Sequence, residues 1–317
     1  MQRKITVFAP WMEADLRQRI MDRVQETGLK AAFFDREEDA AADARDAEIL
    51  FGVSRQCLSE ARELRWLCVP FAGIDSLRDL IPEGIRLSNG AGAYGITISE
   101  HVVMVLLMML RHAEQTLKDM GAKVWRKAGA METLYDKRVL ILGTGDIGRE
   151  CASRLAAFRV KRISGVNRSG HAAEGFDEVC ALQDSDRLFP GADIVISCLP
   201  GTDETENALS RERIFSMPEG SYLVNVGRGR SVDEAALADA LRCGHLAGAS
   251  LDVMRREPLP ADDPLWDAPN LLLTPHCAGD MTAQVTRENC VRMFLCDLDN
   301  YLEGRPFTYG ADKKKGY

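Results

Sequence analysis

The segment RVLILGTGDIG, residues 138–148, decides the fold class. It begins with an apolar run of strand length and continues with glycines in the pattern G-x-G-x-x-G, after which residues 147–158 have helical character. Glycines at these places permit a tight turn and let a pyrophosphate approach the amides of the helix N-terminus. Such a pattern alone also occurs as an ordinary turn, but its position between a strand and a helix favours a dinucleotide site. The predicted pyrophosphate site consists of Gly143, Gly145, Asp146, Ile147 and Gly148.

Strand-like runs alternate with helical segments on both sides of this motif. Before it, the predicted strands are residues 5–8, 31–34, 49–52 and 66–69. From it onward they are residues 138–142, 163–166, 193–198, 222–226, 247–253 and 271–274. Strands that alternate with helices form parallel sheets, and six strands complete a dinucleotide-binding sheet. The chain therefore predicts an α/β protein with two parallel sheets.

Two features set the predicted domain boundaries. Thr97-Ile98-Ser99-Glu100 has the form of a capping box and predicts the start of a long helix, and the helical segment 282–302 returns the chain to the first domain. We expect a Rossmann dinucleotide-binding domain, residues 97–283, inserted in a smaller flavodoxin-like substrate domain, residues 1–96 and 284–317. Residues 102–110 are apolar on every face of the long helix, which favours burial in the core or against a second subunit. We expect a homodimer.

Composition excludes several functional classes. The 317 residues carry 40 Lys and Arg against 48 Asp and Glu, a net charge of -8, which argues against nucleic acid as a partner. The longest apolar run is nine residues, so no membrane-spanning helix is predicted. The nine cysteines show no C-x-x-C spacing, which favours reduced thiols in the cytoplasm and predicts no metal site.

The end of the second strand in the motif's series bears on the choice of cofactor. An acidic residue there normally bonds the ribose 2'-hydroxyl of NAD and repels the phosphate of NADP. This chain instead has Asn167, Arg168 and Ser169, of which the arginine can pair with a phosphate. We therefore favour NADP over NAD, with a solvated Arg168 and bound NAD as the alternative. The cofactor site is also expected to include residues that follow the next strands: Cys198, Leu199, Pro200, Val226 and Gly227.

Three ionisable residues follow three successive strands of the second series. They are Arg228, Glu257 and His276, and each could singly be a structural group. Because the carboxyl ends of parallel strands share one edge of a sheet, we expect all three on one rim, where ligands of such sheets bind. Arg228 offers a planar fork for a carboxylate, and an imidazole exchanges protons near neutral pH. A capping sequence at residues 231–234 should confine Arg228 to a short loop.

These motifs, in this order, resemble the D-isomer-specific 2-hydroxyacid dehydrogenase family. The resemblance rests on the glycine pattern, Arg228-Gly229, Leu251-Asp252-Val253 with Glu257-Pro258, and Pro275-His276. It extends to Phe71-Ala72-Gly73-Ile74-Asp75, Asn89-Gly90 and Glu100-His101, of which we interpret Glu100 and His101 as structural.

The resemblance implies transfer of a hydride between NAD(P)H and a small 2-oxo acid. Arg228 would hold the substrate carboxylate, His276 would exchange the proton and Glu257 would orient His276. Asp252 would contact the nicotinamide carboxamide, or else accept bonds from backbone donors. Ala72 and Gly73 would bind the carboxylate through their amides, or form a plain turn. Glyoxylate or hydroxypyruvate is the favoured substrate. A 3-phosphoglycerate dehydrogenase-like enzyme and a non-catalytic NAD(P)-sensing protein, like the C-terminal-binding corepressors, are the alternatives.

Overall fold

The computed structural model describes residues 3–74, 77, 79–127 and 129–313. Asp75 and the two ends of the chain, which belong to the predicted substrate domain, lie outside the described residues. The chain divides into two compact units: unit 1, Met1–Tyr94 with Asp280–Tyr317, and unit 2, Gly95–Gly279. These boundaries lie two and four residues before those predicted. The α/β class with two parallel sheets is confirmed.

Unit 1 contains a parallel sheet in the order β2-β1-β3-β4-β5. Its strands are β1 (Lys4–Phe8), β2 (Lys30–Phe34), β3 (Ile49–Phe51), β4 (Trp66–Cys68) and β5 (Arg86–Ser88). Its first helices are α1 (Ala14–Gln25), α2 (Glu37–Ala44) and α3 (Arg55–Glu60). The edge strand β5 was not predicted because its sequence, Arg86-Leu87-Ser88, contains a single apolar residue, unlike the apolar runs of β3 and β4.

Unit 2 begins with two helices, α4 (Gly95–Leu110) and α5 (Ala113–Gly121). The predicted long apolar helix is present as α4, but the prediction that Thr97 caps its start is wrong. The helix begins at Gly95, whose amide donates to Asp146 Oδ2 at 2.7 Å, a tertiary contact that a local capping pattern cannot reveal. The helix ends at Leu110, and the backbone of His112 takes a left-handed conformation with φ 52°. Among the described residues no single helix is long and apolar enough to cross a membrane; by length and composition alone, only α4 and α5 together, bent by 70°, would pass.

The sheet of unit 2 has seven strands in the order β12-β11-β10-β9-β6-β7-β8. Its strands are β6 (Arg138–Leu142), β7 (Arg162–Asn167), β8 (Glu178–Ala181), β9 (Ile194–Ser197), β10 (Ser221–Asn225), β11 (Leu246–Leu251) and β12 (Leu271–Leu273). Its later helices are α6 (Asp146–Ala157), α7 (Arg211–Ser216) and α8 (Glu234–Arg242). The predicted count of six strands is wrong because β8, a short half-exposed edge strand, lacks a clear apolar pattern.

The last helix, α9 (Gln284–Leu302), returns the chain to the core of unit 1. Val291, Phe294 and Leu298 are fully buried there. The ring of Phe294 stacks on Phe51 and on Trp66, with centroid distances of 4.4 and 5.2 Å. Apolar burial by this helix therefore joins two distant parts of the sequence in one unit.

Candidate active site

The glycine motif forms a tight turn between β6 and α6. Gly143 has a φ of 101°, and its amide donates to Val166 O at 2.7 Å. A Cβ at Gly148 would lie 1.9 Å from Gly143 O, so only glycine lets the helix pack this closely on the turn. A Cβ at Gly145, the N-cap of α6, would meet nothing within 4 Å. Open space therefore borders the amides at the start of α6.

The residues predicted for NADP lie at the end of β7. The side chain of Asn167 is engaged: its Nδ2 donates to Thr144 Oγ1 at 3.0 Å and to His171 O at 2.9 Å, and its Oδ1 accepts from the Gly170 amide at 2.7 Å. Asn167 therefore shapes the loop that follows β7. Arg168 and Ser169 are exposed on that loop.

The loop after β9 lies between the glycine turn and the loop after β10. A Cβ on Gly143 would come within 3.0 Å of Cys198 O, and one on Gly227 would come within 2.4 Å of Leu199 O. The amide of Gly227 donates to Asn225 Oδ1 at 3.1 Å. The backbones after β6 and β10 thus both approach the backbone after β9 closely. The structure brings together the predicted cofactor residues of these loops: Cys198, Leu199, Pro200, Val226 and Gly227.

Arg228, Glu257 and His276 follow β10, β11 and β12, which are neighbours in the sheet. The three residues therefore lie along one carboxyl edge, as predicted. Gly229 leaves no room for a side chain, because a Cβ would lie 1.9 Å from the backbone of Met254. This contact joins the Arg228 loop to the loop that carries Glu257.

The cap of the helix after Arg228 lies within the predicted residues 231–234. Asp233, rather than Ser231, is the N-cap of α8, and its Oδ1 accepts from the Ala236 amide at 3.0 Å. Ser231 belongs to a short 3-10 turn, where its hydroxyl donates to Arg228 O at 2.7 Å. The loop of Arg228 is thus held from both ends.

His276 and Glu257 form a hydrogen-bonded pair. Nδ1 of His276 lies 2.7 Å from Glu257 Oε2, while Glu257 Oε1 accepts from the Met254 amide at 2.8 Å. His276 has a φ of 53°, a conformation that non-glycine residues adopt at a cost and that often marks functional sites. Its exposed ring leaves Nε2 as the atom able to exchange a proton with a ligand.

The side chain of Asp252 fixes the loop of His276 by hydrogen bonds. Its buried carboxylate accepts from the Thr274 hydroxyl at 2.6 Å and from the amides of Cys277 and Ala278, each at 3.0 Å. The His276 amide donates to Asp252 O at 2.8 Å. These are the backbone donors of the alternative interpretation, and the nicotinamide contact of Asp252 stays a prediction.

His101 of α4 extends this network. Its Nε2 lies 3.4 Å from Thr274 Oγ1, and burial lowers its pKa, which favours a neutral ring. The involvement of Thr274 was not predicted. Its position before Pro275-His276 was the only signal in the sequence.

The structure fits a dinucleotide. A pyrophosphate binds where a glycine turn leaves free space at the N-cap of a helix. The turn at residues 143–148 leaves such space at the N-cap of α6, beside the loops that follow β9 and β10. Unit 2 is therefore a dinucleotide-binding domain of the Rossmann class. The family model "D-isomer specific 2-hydroxyacid dehydrogenase, NAD binding domain" matches residues 103–278. The chain belongs to this family of NAD(P)-dependent oxidoreductases, which act on the CH-OH group of small 2-hydroxy acids or on the matching 2-oxo acids.

Individual relatives agree with this assignment. Glyoxylate/hydroxypyruvate reductase B of Pectobacterium carotovorum is 32% identical over 79% of this chain and 78% of its own. A D-isomer specific 2-hydroxyacid dehydrogenase family protein from Aeromonas salmonicida has a TM-score of 0.88 at 31% identity, covering 99% of this chain and 100% of that one. An NADPH-dependent glyoxylate/hydroxypyruvate reductase from Sinorhizobium meliloti, solved with NADP and sulfate, has a TM-score of 0.80 at 25% identity, covering 99% and 100%.

Proposed function

We propose that this protein is a 2-oxoacid reductase that prefers NADPH and acts on glyoxylate or hydroxypyruvate. The observation that carries the proposal is the 2.7 Å pair of His276 and Glu257, on the edge that also bears Arg228. The names of the relatives from Pectobacterium and Sinorhizobium support the choice of substrate.

Each of the three side chains has a separate task in this proposal. Arg228 binds the substrate carboxylate with its guanidinium and so orients the neighbouring carbonyl. His276 holds a proton on Nε2 and gives it to the carbonyl oxygen, and in the reverse reaction it accepts that proton. Glu257 fixes the ring by accepting from Nδ1. NADPH bound at the glycine turn would supply the hydride for the carbonyl carbon. Amides of the loop at Ala72 and Gly73 take part in carboxylate binding.

The cofactor assignment rests on the glycine turn and the loop after β7. Amides at the start of α6 receive the pyrophosphate in the space beside Gly145. Asn167 carries no charge that would repel a 2'-phosphate, and the exposed Arg168 supplies a cation for it. We also assign Val226 and Gly227 to the cofactor site, and Asp252 to the carboxamide of its nicotinamide.

We further propose a homodimer formed by one apolar surface of unit 2. The large apolar side chains that are exposed in the described residues lie, apart from Phe158 and Trp266, between residues 104 and 135. They are Met104, Leu117, Met120, Val124, Trp125, Met131 and Tyr135. A concentration of exposed large apolar side chains is typical of surfaces that contact another protein.

Light scattering of the purified protein tests the dimer. The wild type should have the mass of two chains, and Leu117→Asp with Trp125→Asp should give one chain. Trp266→Asp, at an exposed tryptophan outside this surface, is the matched control and should stay dimeric. A monomeric wild type would contradict the proposal.

A substrate panel tests the proposed reaction. We would follow absorbance at 340 nm with NADPH and with NADH, using glyoxylate, hydroxypyruvate, pyruvate, phenylpyruvate and phosphohydroxypyruvate. The highest kcat/KM is expected with NADPH and one of the first two acids. A preference for phosphohydroxypyruvate would favour a 3-phosphoglycerate dehydrogenase-like enzyme. Cofactor binding without turnover of any acid would favour a sensing protein.

A further inference from the structure

The loop that follows β4, residues 70–74, has three successive carbonyl groups that all bond to buried donors. Pro70 O accepts from the Tyr94 hydroxyl at 2.9 Å and from the Cys290 thiol at 3.3 Å. The next two carbonyls are bonded by Gly90 and Asn89, which follow β5. The Gly90 amide donates to Phe71 O at 3.0 Å, and Asn89 Nδ2 donates to Ala72 O at 2.5 Å.

The donors to this loop are themselves fixed. Asn89 is buried, and its Oδ1 accepts from the Ala91 amide at 3.2 Å, which sets the orientation of its NH2 group toward Ala72. Burial raises the pKa of the Cys290 thiol to about 12 and holds the pKa of the Tyr94 phenol well above its usual range. Both groups therefore remain protonated near neutral pH. A Cβ at Gly90 would lie 2.0 Å from Pro70 O, so the close approach of the two loops requires glycine.

The amide N-H groups of the same loop differ from its carbonyl groups in their hydrogen bonding among the described residues. Within residues 3–74, 77, 79–127 and 129–313, no acceptor bonds to the amides of Phe71, Ala72 or Gly73. In a trans peptide the N-H points opposite to the C=O. Because the carbonyl groups of Pro70, Phe71 and Ala72 bond to the buried donors, the N-H groups of the same three peptides point away from those donors.

We propose that Asn89, supported by Tyr94 and Cys290, is a positioning residue that aims the amides of Phe71, Ala72 and Gly73 at the carboxylate of a 2-oxo acid. This inference rests on the proposed function and adds to it the groups that set affinity for the acid. Donors that are fixed before the acid arrives need no ordering on binding, so the loop is expected to act on KM.

Kinetics of Asn89→Ala test the assignment. We expect KM for the oxo acid to rise about tenfold, a change typical of losing one well-placed hydrogen bond, while kcat and the Kd of NADPH stay within about twofold. Asn89→Gln, which keeps the amide donor, should recover part of the loss. Val24→Ala, in the core of unit 1 and away from the loop, controls for lowered stability and should leave KM unchanged. An unchanged KM in Asn89→Ala would overturn the assignment.

The two donors to Pro70 provide a graded test. Tyr94→Phe or Cys290→Ala alone leaves one donor and should change KM by less than about twofold, whereas both together should raise it about fivefold. Equal effects of the single and double variants would contradict the assignment.

A measurement without turnover separates this inference from the proposed function. Oxamate, a dead-end analogue of a 2-oxo acid, should shift the 15N-1H signals of Ala72 and Gly73 in the NADP-bound wild type, and less in Asn89→Ala. Shifts without turnover of any oxo acid would leave the loop assignment standing and reject the reductase. Turnover without such shifts would reject the loop assignment alone.

Discussion

The carboxyl edges of the two sheets present different chemical groups. In unit 2 the edge carries ionisable side chains, Arg228, Glu257 and His276, on loops that follow neighbouring strands. In unit 1 the loop after β4 carries no such side chain among its described residues and offers backbone amides, with its carbonyls bonded by Asn89, Gly90 and Tyr94. One fold class thus supports a site made of side chains and a site made of backbone. Loss of one charged side chain should abolish the activity of the site in unit 2. Loss of one hydrogen bond should weaken ligand binding at the loop of unit 1 only in part.

The largest effect is expected at Arg228. Arg228→Ala removes the proposed charged partner of the substrate carboxylate and should lower kcat/KM by roughly 10³-fold or below detection. The Kd of NADPH, measured by fluorescence, should stay unchanged. Arg230→Ala is the matched control because this exposed residue pairs only at the surface, with Asp203 and Glu206. Equal activity of Arg228→Ala and wild type would contradict the proposal that Arg228 binds the substrate carboxylate.

A somewhat smaller effect is expected at Glu257. Its two oxygens accept from His276 Nδ1 and from the Met254 amide. In Glu257→Gln the single carbonyl oxygen can serve only one of these donors, so the ring loses its fixed orientation and kcat should fall by roughly 10²-fold. Asp262→Asn, an exposed change of the same charge nearby, should retain full rate. Full rate in Glu257→Gln would mean that the carboxylate does not assist His276.

Two glycines of the turn, Gly145 and Gly148, are expected to serve different purposes, ligand binding and packing of the fold. At Gly145 a Cβ meets nothing in the protein, whereas at Gly148 it would lie 1.9 Å from Gly143 O. Gly145→Ala should therefore keep its Tm while the Kd of NADPH rises roughly 30-fold, and Gly148→Ala should lose about 1–3 kcal/mol of stability. Calorimetry and fluorescence titration measure both quantities. Tight cofactor binding by Gly145→Ala would show that the space at the N-cap is not used.

The contrast between the edges also explains how far the sequence could predict the site. Arg228, Glu257 and His276 were predictable because their chemistry is in the side chain and the strand order places them on one edge. The role of Asn89 was not, because it depends on a hydrogen bond to the backbone of Ala72. The start of α4 was mispredicted for the same reason, since Asp146 bonds the Gly95 amide from another helix. Local patterns describe side chains and periodicity, whereas contacts between distant backbones appear only in the folded chain.

A change of about tenfold is expected in cofactor preference. Arg168→Ala removes the proposed partner of the 2'-phosphate and should lower the ratio of NADPH to NADH efficiency about tenfold. Adding Asn167→Asp should move the ratio further toward NADH by charge repulsion, although it also removes the donors to Thr144 and His171. Arg162→Ala, at the amino end of β7, is the matched control and should leave the ratio unchanged. A ratio indifferent to Arg168 would favour NAD.

The smallest effect is expected where unit 2 uses a buried side chain to hold a loop, as unit 1 does with Asn89. The two side chains hold their loops by hydrogen bonds of opposite direction. The Asn89 amide donates to a backbone carbonyl. The Asp252 carboxylate instead accepts from the amides of Cys277 and Ala278 and from the hydroxyl of Thr274. Thr274→Val keeps the shape of the side chain and removes only the hydroxyl. Because the two amides remain, the His276 loop should stay in place, at a cost of about 1 kcal/mol in stability, and kcat should fall about threefold. The Kd of NADPH should not change. If kcat fell as far as in Glu257→Gln, the Thr274 hydroxyl would be a part of the proton-transfer machinery, and the edge of unit 2 would depend on its loop geometry as strongly as the edge of unit 1.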